Sequence, residues 1–314
     1  MNSSPRARFP HRVLATILCA AALALMATPA AAQSSEDPTP VPWTELLPPI
    51  PAGYEDSASR LCPAGQTPCV DVVIREMTRR FDSLASLCDH DAIFALTYLR
   101  TTEEYRRSVS DPAFFSDTPF VNHEDVVFAD AYFRAYDAWH RRSGAVPPAW
   151  RVAFGAADSR SVSGAGNLLL GVNAHVNRDL PFVLAQIGIT TEDGGSRKPD
   201  HDRVNDFLIK VTEPLIAEAA LRFDPSIDDT HVDGTTLDET TLFQLLAAWR
   251  EEAWRNAERL VNAPSPADRE LVADEIEATA EAKGRLLAQQ YAYVSSLSEN
   301  AQREAWCAAN WNAW

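Results

Sequence analysis

Cys69-Val-Asp-Val-Val-Ile-Arg-Glu-Met-Thr-Arg-Arg-Phe-Asp-Ser-Leu84 sets Val72, Val73, Met77, Phe81 and Leu84 three or four residues apart. That period paints one face of an α-helix apolar and leaves Arg and Glu for the other. The spacing returns in the next segment at Ile93, Leu96 and Leu99. Further on, punctuation marks the helices. Asn122 is suited to cap a helix running to Arg142, with Asp125 in its first turn, and Pro147-Pro148 opens a shorter one through Ala157. Gly164 to Gly188 frames another, and Pro199 begins one that reaches Phe223; Pro181 and Pro214 fall inside these two and predict a kink or split in each. After an Asp/Gly-rich loop (223–236), two long charged amphipathic helices are expected at Leu237–Asn262 and Pro266–Leu297, then a short Trp-rich tail. No stretch alternates apolar and polar residues as a half-buried strand does. The expected fold is all-α, a single-domain bundle of about eight helices.

The region before residue 59 reads differently. Arg6, Arg8 and Arg12 precede an uncharged apolar run, Val13 to Met26, and small residues end at Ala32. Basic, apolar, then small is the layout of a secretory signal peptide, so residues 1–32 are expected to be removed by cleavage after Ala32 and the protein exported, secreted or periplasmic. Residues 33–58 hold six prolines and read as an extended Pro-rich linker. The helical domain is then 59–314, with no integral membrane span once the signal is gone.

Charge narrows the class further. The chain carries 28 Lys and Arg against 44 Asp and Glu; loss of three arginines with the signal leaves 25 against 44, a formal charge of −19. A general nucleic-acid binder draws its affinity from cations that neutralise phosphates, so that role is excluded. Four cysteines remain after cleavage, an even number that suits an oxidising compartment. Three pairings are possible. Cys62 and Cys69 bracket a Pro/Gly loop and suit a short ring, which leaves Cys88 with Cys307.

Asn167-Leu-Leu-Leu-Gly-Val-Asn-Ala-His-Val-Asn-Arg-Asp-Leu-Pro-Phe182 carries the most chemistry. His175 and Asp179 are one turn apart and interrupt the apolar stripe Leu168, Val172, Phe182; Asn173 and Asn177 form a second such pair. Burying such groups costs several kcal/mol unless each is partnered. The expected partner is Asp200-His-Asp-Arg-Val-Asn-Asp206, where Asp202 and Asp206 share a face. Asp130 and Asp137 on the preceding helix are further contributors.

Two readings follow. In the first, His175, Asp179, Asp206 and Asp202 ligate a divalent metal such as zinc, Arg203 or Asn173 faces an oxyanion, and the site hydrolyses an ester or phosphoester. In the second, the protein is a non-catalytic helical scaffold or a ligand-binding protein for a small molecule or lipid, and the same residues bond one another. Among the other histidines, His90 and His231 are expected to be solvated and His140 to act as a cation at a helix C-terminus. Trp249 and Trp254 are read as core, and Trp306, Trp311 and Trp314 as packing anchors held by Cys307.

Glu-Asp-Val-Val-Phe-Ala-Asp-Ala-Tyr-Phe133, Asn-Ala-His-Val-Asn-Arg-Asp-Leu-Pro181, Arg-Val-Asn-Asp206 and the Trp-Arg…Ala-Trp pattern at 249–254 follow in an order that resembles an uncharacterised, all-helical bacterial family, a domain of unknown function. The likeness covers roughly residues 70–262. It implies no activity, but marks Asp125, Asn173, His175, Asn177, Asp179, Arg203, Asn205 and Asp206 as the family-type polar set. A looser likeness is to zinc-dependent phospholipase C and related single-strand nucleases, which carry His-x-x-x-Asp on core helices. It implies zinc at His175 and Asp179, although the N-terminal Trp ligand and several further histidines of those enzymes have no counterpart here.

Expressed in an exporting bacterium, the secreted chain is expected to begin at Gln33. Intact-mass measurement checks this, and a secreted chain that retains residues 1–32 contradicts it.

Overall fold

The caps explain where the helices begin in the computed structural model, which describes residues 49–54, 57–227, 231–232, 235–236, 239–294 and 296–313. The signal segment and residues 33–48 lie outside them. Helix α1 (Thr67–Ala85) carries Pro68 in its first turn, and α2 (Ala92–Ser108) follows a short turn. In α3 (Thr118–His140), the Asp117 side chain accepts from Phe120 N and caps the start. Helix α4 (Pro148–Asp158) opens on proline, and α5 (Gly164–Val172) is capped by Ser163, which accepts from Gly166 N. A π-helical segment, Asn173–Asp179, joins α5 to α6 (Leu180–Ile187). Helices α7 (Lys198–Arg203) and α8 (Asn205–Arg222) follow, then α9 (Glu239–Val261). Helix α10 (Pro266–Gln290) is capped by Ser265 through Asp268 N, and α11 (Ser296–Asn310) ends the fold. Proline at a first turn costs no hydrogen bond there, and a capping oxygen satisfies a donor that would otherwise be orphaned.

With α5–π–α6 and α7–α8 each taken as one rod, nine helical rods form an all-α, single-domain bundle among the described residues. A two-residue antiparallel ribbon, His231–Val232 with Thr235–Thr236, is the exception to helix. Helix α2 is the central rod, with Ala92, Ile93 and Leu96 fully buried, and it packs against α1, α5 and α8. The π segment is a second hub: α3, α4, α9 and α10 all pack on it. No helix among the described residues is long and apolar enough to cross a membrane.

Several boundaries differ from expectation. Asn122 is not a cap. It lies one turn inside α3 and is buried, its side chain accepting from the Tyr105 hydroxyl (2.6 Å) and donating to Gly65 O (2.9 Å). Asp117-Thr-Pro, one turn earlier, supplies the better start. Helix α10 stops at Gln290 rather than at Leu297, because Ser163 N binds Tyr291 O and Tyr293 N binds Ser161 O, which draws the backbone out of helix. The Trp-rich tail is mostly a helix of its own. Trp306 donates its Nε1 to Ala220 O and Leu221 O, and Trp311 packs against the core. Trp249 and Trp254 are buried as expected, whereas His90 is buried rather than solvated and holds Glu304 of α11 at 2.8 Å. His140 ends α3 and faces Asp91. Asp130 bonds the exposed Arg134, and Asp137 bonds the buried Arg80 and the exposed Arg141.

Residues 49–54 and 57–66 run over the bundle in extended and turn conformations. Ile50 N donates to Glu258, Thr190 Oγ1 to Gly53 O, and Ala58 N to Gln186 O. Cys62–Cys69 closes the short ring and Cys88–Cys307 ties the end of α1 to α11, the pairing expected.

A cross-link spanning 219 residues restricts the unfolded chain far more than one spanning seven. Replacing Cys88 and Cys307 by serine is expected to cost about 2–4 kcal/mol in denaturant unfolding. The Cys62/Cys69 replacement costs less; equal losses would contradict the loop-length account.

Candidate functional site

The π segment is where local chemistry and function meet. Pro181 has no N–H to give the carbonyl of Asn177, and its ring crowds that carbonyl in a regular α-helix. The backbone widens instead: Leu180 N donates to His175 O, five residues back. Such wide turns recur at functional sites because they re-aim side chains out of helical register. Two one-turn pairs point different ways from it. Asn177 Nδ2 donates to Asn173 Oδ1 (3.1 Å), Asn173 Nδ2 to Ala280 O of α10 (2.9 Å), and Lys283 Nζ to Asn177 Oδ1 (3.3 Å). This pair clamps the segment to α10. Asn173 therefore faces a helix and not an oxyanion.

His175 and Asp179 form the second pair. Asp179, 1% exposed, accepts three donors: Trp150 Nε1 (2.8 Å) and His175 Nδ1 (3.0 Å) on Oδ2, and the Arg178 guanidinium (2.9 Å) on Oδ1. Arg178 is held in turn by Glu277 of α10. Because Nδ1 of His175 gives its hydrogen to Asp179, Nε2 carries the lone pair. The ring lies flat against Phe128 (centroids 3.5 Å, planes 4° apart), with Tyr98 at 4.5 Å. Burial holds its pKa below the ordinary value, against the pull of Asp179, so at neutral pH the ring is neutral.

Nε2 of His175 is buried without a hydrogen-bond partner among the described residues, and His175 is one of the residues that line a cavity of about 120 Å³. The walls come from α2 (Phe94, Tyr98, Tyr105), α3 (Glu124, Asp125, Phe128), the π segment, α8 (Phe207, Leu208) and α9 (Leu246, Arg250). Two more buried atoms of this wall lack partners, the Tyr98 hydroxyl and Asp125 Oδ2. Burial pushes the carboxyl of Asp125 up to about 8, with Glu124 adding repulsion. Burial likewise pushes Glu124 to about 7, while the Arg250 guanidinium pulls it back. Arg250 is pinned by His201 O (2.6 Å) and Asn205 Oδ1 (3.1 Å). The cavity thus joins apolar aromatic walls to a neutral imidazole and two acids whose pKa burial raises, the composition of a small-molecule site.

The expected metal set does not assemble. Asp206 pairs with Arg203 (2.9 Å), both about half exposed, and Arg203 also covers Phe114; Asp202 is held by the buried Lys198 (2.8 Å). Each acid prefers the cation three or four residues away on its own turn, and Val204, between them in sequence, lines the cavity instead. Asp179 is saturated by three donors. Among the described residues no three His, Cys, Asp or Glu side chains are grouped to hold an ion, so the zinc implied by the phospholipase likeness does not fit this donor set. Arg203 and Asp206 stand outside the site, and Asn205 acts in it only through Arg250.

Tyr98 lies outside every stretch singled out in the sequence, whereas Glu124, Phe128 and Arg250 lie in the quoted motifs without a site role of their own. Glu124 and Asp125 sit among Val121, Val126 and Val127, the same kind of polar interruption that singled out His175. A family model, "Family of unknown function (DUF5995)", matches residues 70–290 and so encloses every wall of the cavity. The chain belongs to the DUF5995 family. No curated protein and no solved structure matches it. Within this DUF5995 chain, the π segment and the cavity-facing turn of α3 coincide with two of the motifs on which the family likeness rested.

Asp125 binds its proton more tightly folded than unfolded, so its contribution to stability is present below about pH 4 and is lost as pH rises through about 8. Asp125→Asn keeps the shape and removes the titration. Relative to wild type, the variant is expected to gain stability steadily between pH 4 and pH 8, read as unfolding midpoints. A pH-independent difference would contradict the assignment.

Proposed function

We propose that the cavity beside His175 is the active site of an acid–base enzyme for a small, mainly apolar molecule. The observation that carries the reading is Nε2 of His175, a buried lone pair without a partner, on a residue that lines a cavity and is backed by a carboxylate. A neutral imidazole in that position takes a proton from substrate or from a water that attacks it, and Asp179 stabilises the imidazolium that forms. Trp150 and Arg178 position Asp179 without touching substrate. Asp125, kept protonated by its surroundings, gives a proton to the developing anion or leaving group. A base and an acid with separated protonation states share one wall, which is the pattern of catalytic pairs. Hydrolysis of a small ester by His-activated water fits this chemistry without a metal ion.

Export through residues 1–32 belongs to the same reading. Two disulfides support it, because such cross-links persist in oxidising compartments.

The test is a panel of short esters, epoxides and small carbonyl compounds in deuterated water, followed by NMR for product and for solvent deuterium taken up by substrate. Wild type is expected to act on at least one class, and His175→Gln to lower that rate about 10²–10⁴-fold. Asp125→Asn is expected to leave binding intact and slow turnover. Binding without turnover or exchange in any class would favour the ligand-binding alternative, for which the apolar walls speak.

A further inference from the structure

The polar atoms left without partners on the cavity wall specify a ligand by their hydrogen-bonding roles. Nε2 of His175 can only accept, since Nδ1 holds the hydrogen for Asp179 at 3.0 Å. It therefore needs one donor. The Tyr98 hydroxyl has no acceptor among the described residues, and Asp125 Oδ2 has no partner there either. Both Tyr98 and His175 are more than nine-tenths buried, at 7% and 3% exposed. A buried polar group left unpaired costs about 1–3 kcal/mol, so three on residues that line one cavity are a deficit that a ligand reaching them repays.

A single hydroxyl group offers one donor and two acceptor lone pairs. That inventory matches one acceptor, Nε2, and two donors, the Tyr98 hydroxyl and the protonated Asp125 carboxyl. The body attached to it is set by size and walls. A dry, closed apolar cavity of about 150 Å³ takes benzene; this one is about 120 Å³ but not fully enclosed, so one ring with a small substituent is the upper limit, and it is lined by Phe94, Tyr98, Tyr105, Phe128 and Phe207. Charge on the lining is already answered, since the Arg250 guanidinium interacts with Glu124, and neither an anion nor a cation finds a free counter-charge there.

We propose that the cavity binds a neutral, ring-sized molecule bearing one hydroxyl group, a phenol or cyclic alcohol, held by His175 Nε2, the Tyr98 hydroxyl and the Asp125 carboxyl. The proposal rests on the same cavity as the acid–base reading and names its ligand class. It also places the ligand's O–H against the base.

The experiment is a set of calorimetric and NMR titrations of the purified protein at pH 6.5 with phenol, cyclohexanol, benzene, benzoate and cyclohexylammonium. Phenol or cyclohexanol is expected to bind at least about tenfold more tightly than benzene, the worth of one to two buried hydrogen bonds. His175 and Tyr98 resonances shift in the complex. Tyr98→Phe, which keeps the ring, is expected to reduce the preference for phenol over benzene about fivefold, and His175→Phe to abolish it. Should His175→Phe fail to fold, Tyr98→Phe carries the comparison; Asp125→Asn, which keeps a neutral donor, is expected to leave the preference for phenol unchanged.

Equal binding of benzene and phenol by wild type would overturn the proposal. So would benzoate or cyclohexylammonium binding more tightly than phenol, or no binding by any of the five to a folded protein. Failure of the two readings is distinguishable. Phenol binding without turnover of any substrate class sinks the enzyme and spares the ligand class. Turnover of a charged substrate with His175 dependence does the reverse.

Discussion

A single buried carboxylate ties the bundle together. Asp179 sits at 1% exposure and accepts from Trp150 of α4, from His175 one turn back on its own segment, and from Arg178, which Glu277 of α10 holds in place. Taking such a charge out of water is costly, and removing one partner of a buried ionic pair typically costs about 3–5 kcal/mol. The arrangement succeeds because every donor comes from a different direction and each is itself anchored. Trp150 lies in the aromatic cluster with Phe94, Tyr132 and Phe154. The orientation of α4, the π segment and α10 is thereby coupled to the tautomer of one imidazole.

Around that carboxylate the backbone departs from regular helix, and it does so for reasons written in the residues. Pro181 denies a hydrogen bond and forces the wide turn. Gly171 of α5, one turn before His175, lets α5 approach α2 so closely that a Cβ there would overlap the Phe94 ring. Phe94 then reaches both His175 and the cavity. Glycine and proline, ten residues apart, set how deeply the histidine sits and which way it faces. The Asn173–Asn177 pair, on another side of the same turn, satisfies polar groups that the wide turn would otherwise strand against α10.

Much of this was legible in one dimension. The three-to-four spacing of Val72, Val73, Met77, Phe81 and Leu84 announces a helix with one buried face; all are buried except Val72, which the turn of the helix leaves exposed. Proline and serine at the starts of α4, α5 and α10 mark their ends. The i, i+4 placement of His175 and Asp179 on an apolar stripe announces a polar pair that needs company. What that company would be was misjudged. Asp202 and Asp206 lie on one helical face in sequence, but Lys198 and Arg203 sit within a turn of them, and local ion pairs form without any long-range packing. The partners that reached Asp179, Trp150 and Arg178, are an indole on a separate helix and a neighbour in sequence, and spacing rules foretell neither.

The sequence by itself determined that the chain is helical, roughly where the helices lie and that Pro181 would disturb one of them, because each depends on residues close along the chain; the cap of α3 and the choice among three cysteine pairings were decided by the tertiary structure. The cavity was decided by tertiary structure alone. Its walls come from α2, α3, α8, α9 and the π segment, and the unpartnered atoms of Tyr98, Asp125 and His175 share no local pattern. Whether a polar group is satisfied is a property of the space around it, and that space exists only once the helices have packed.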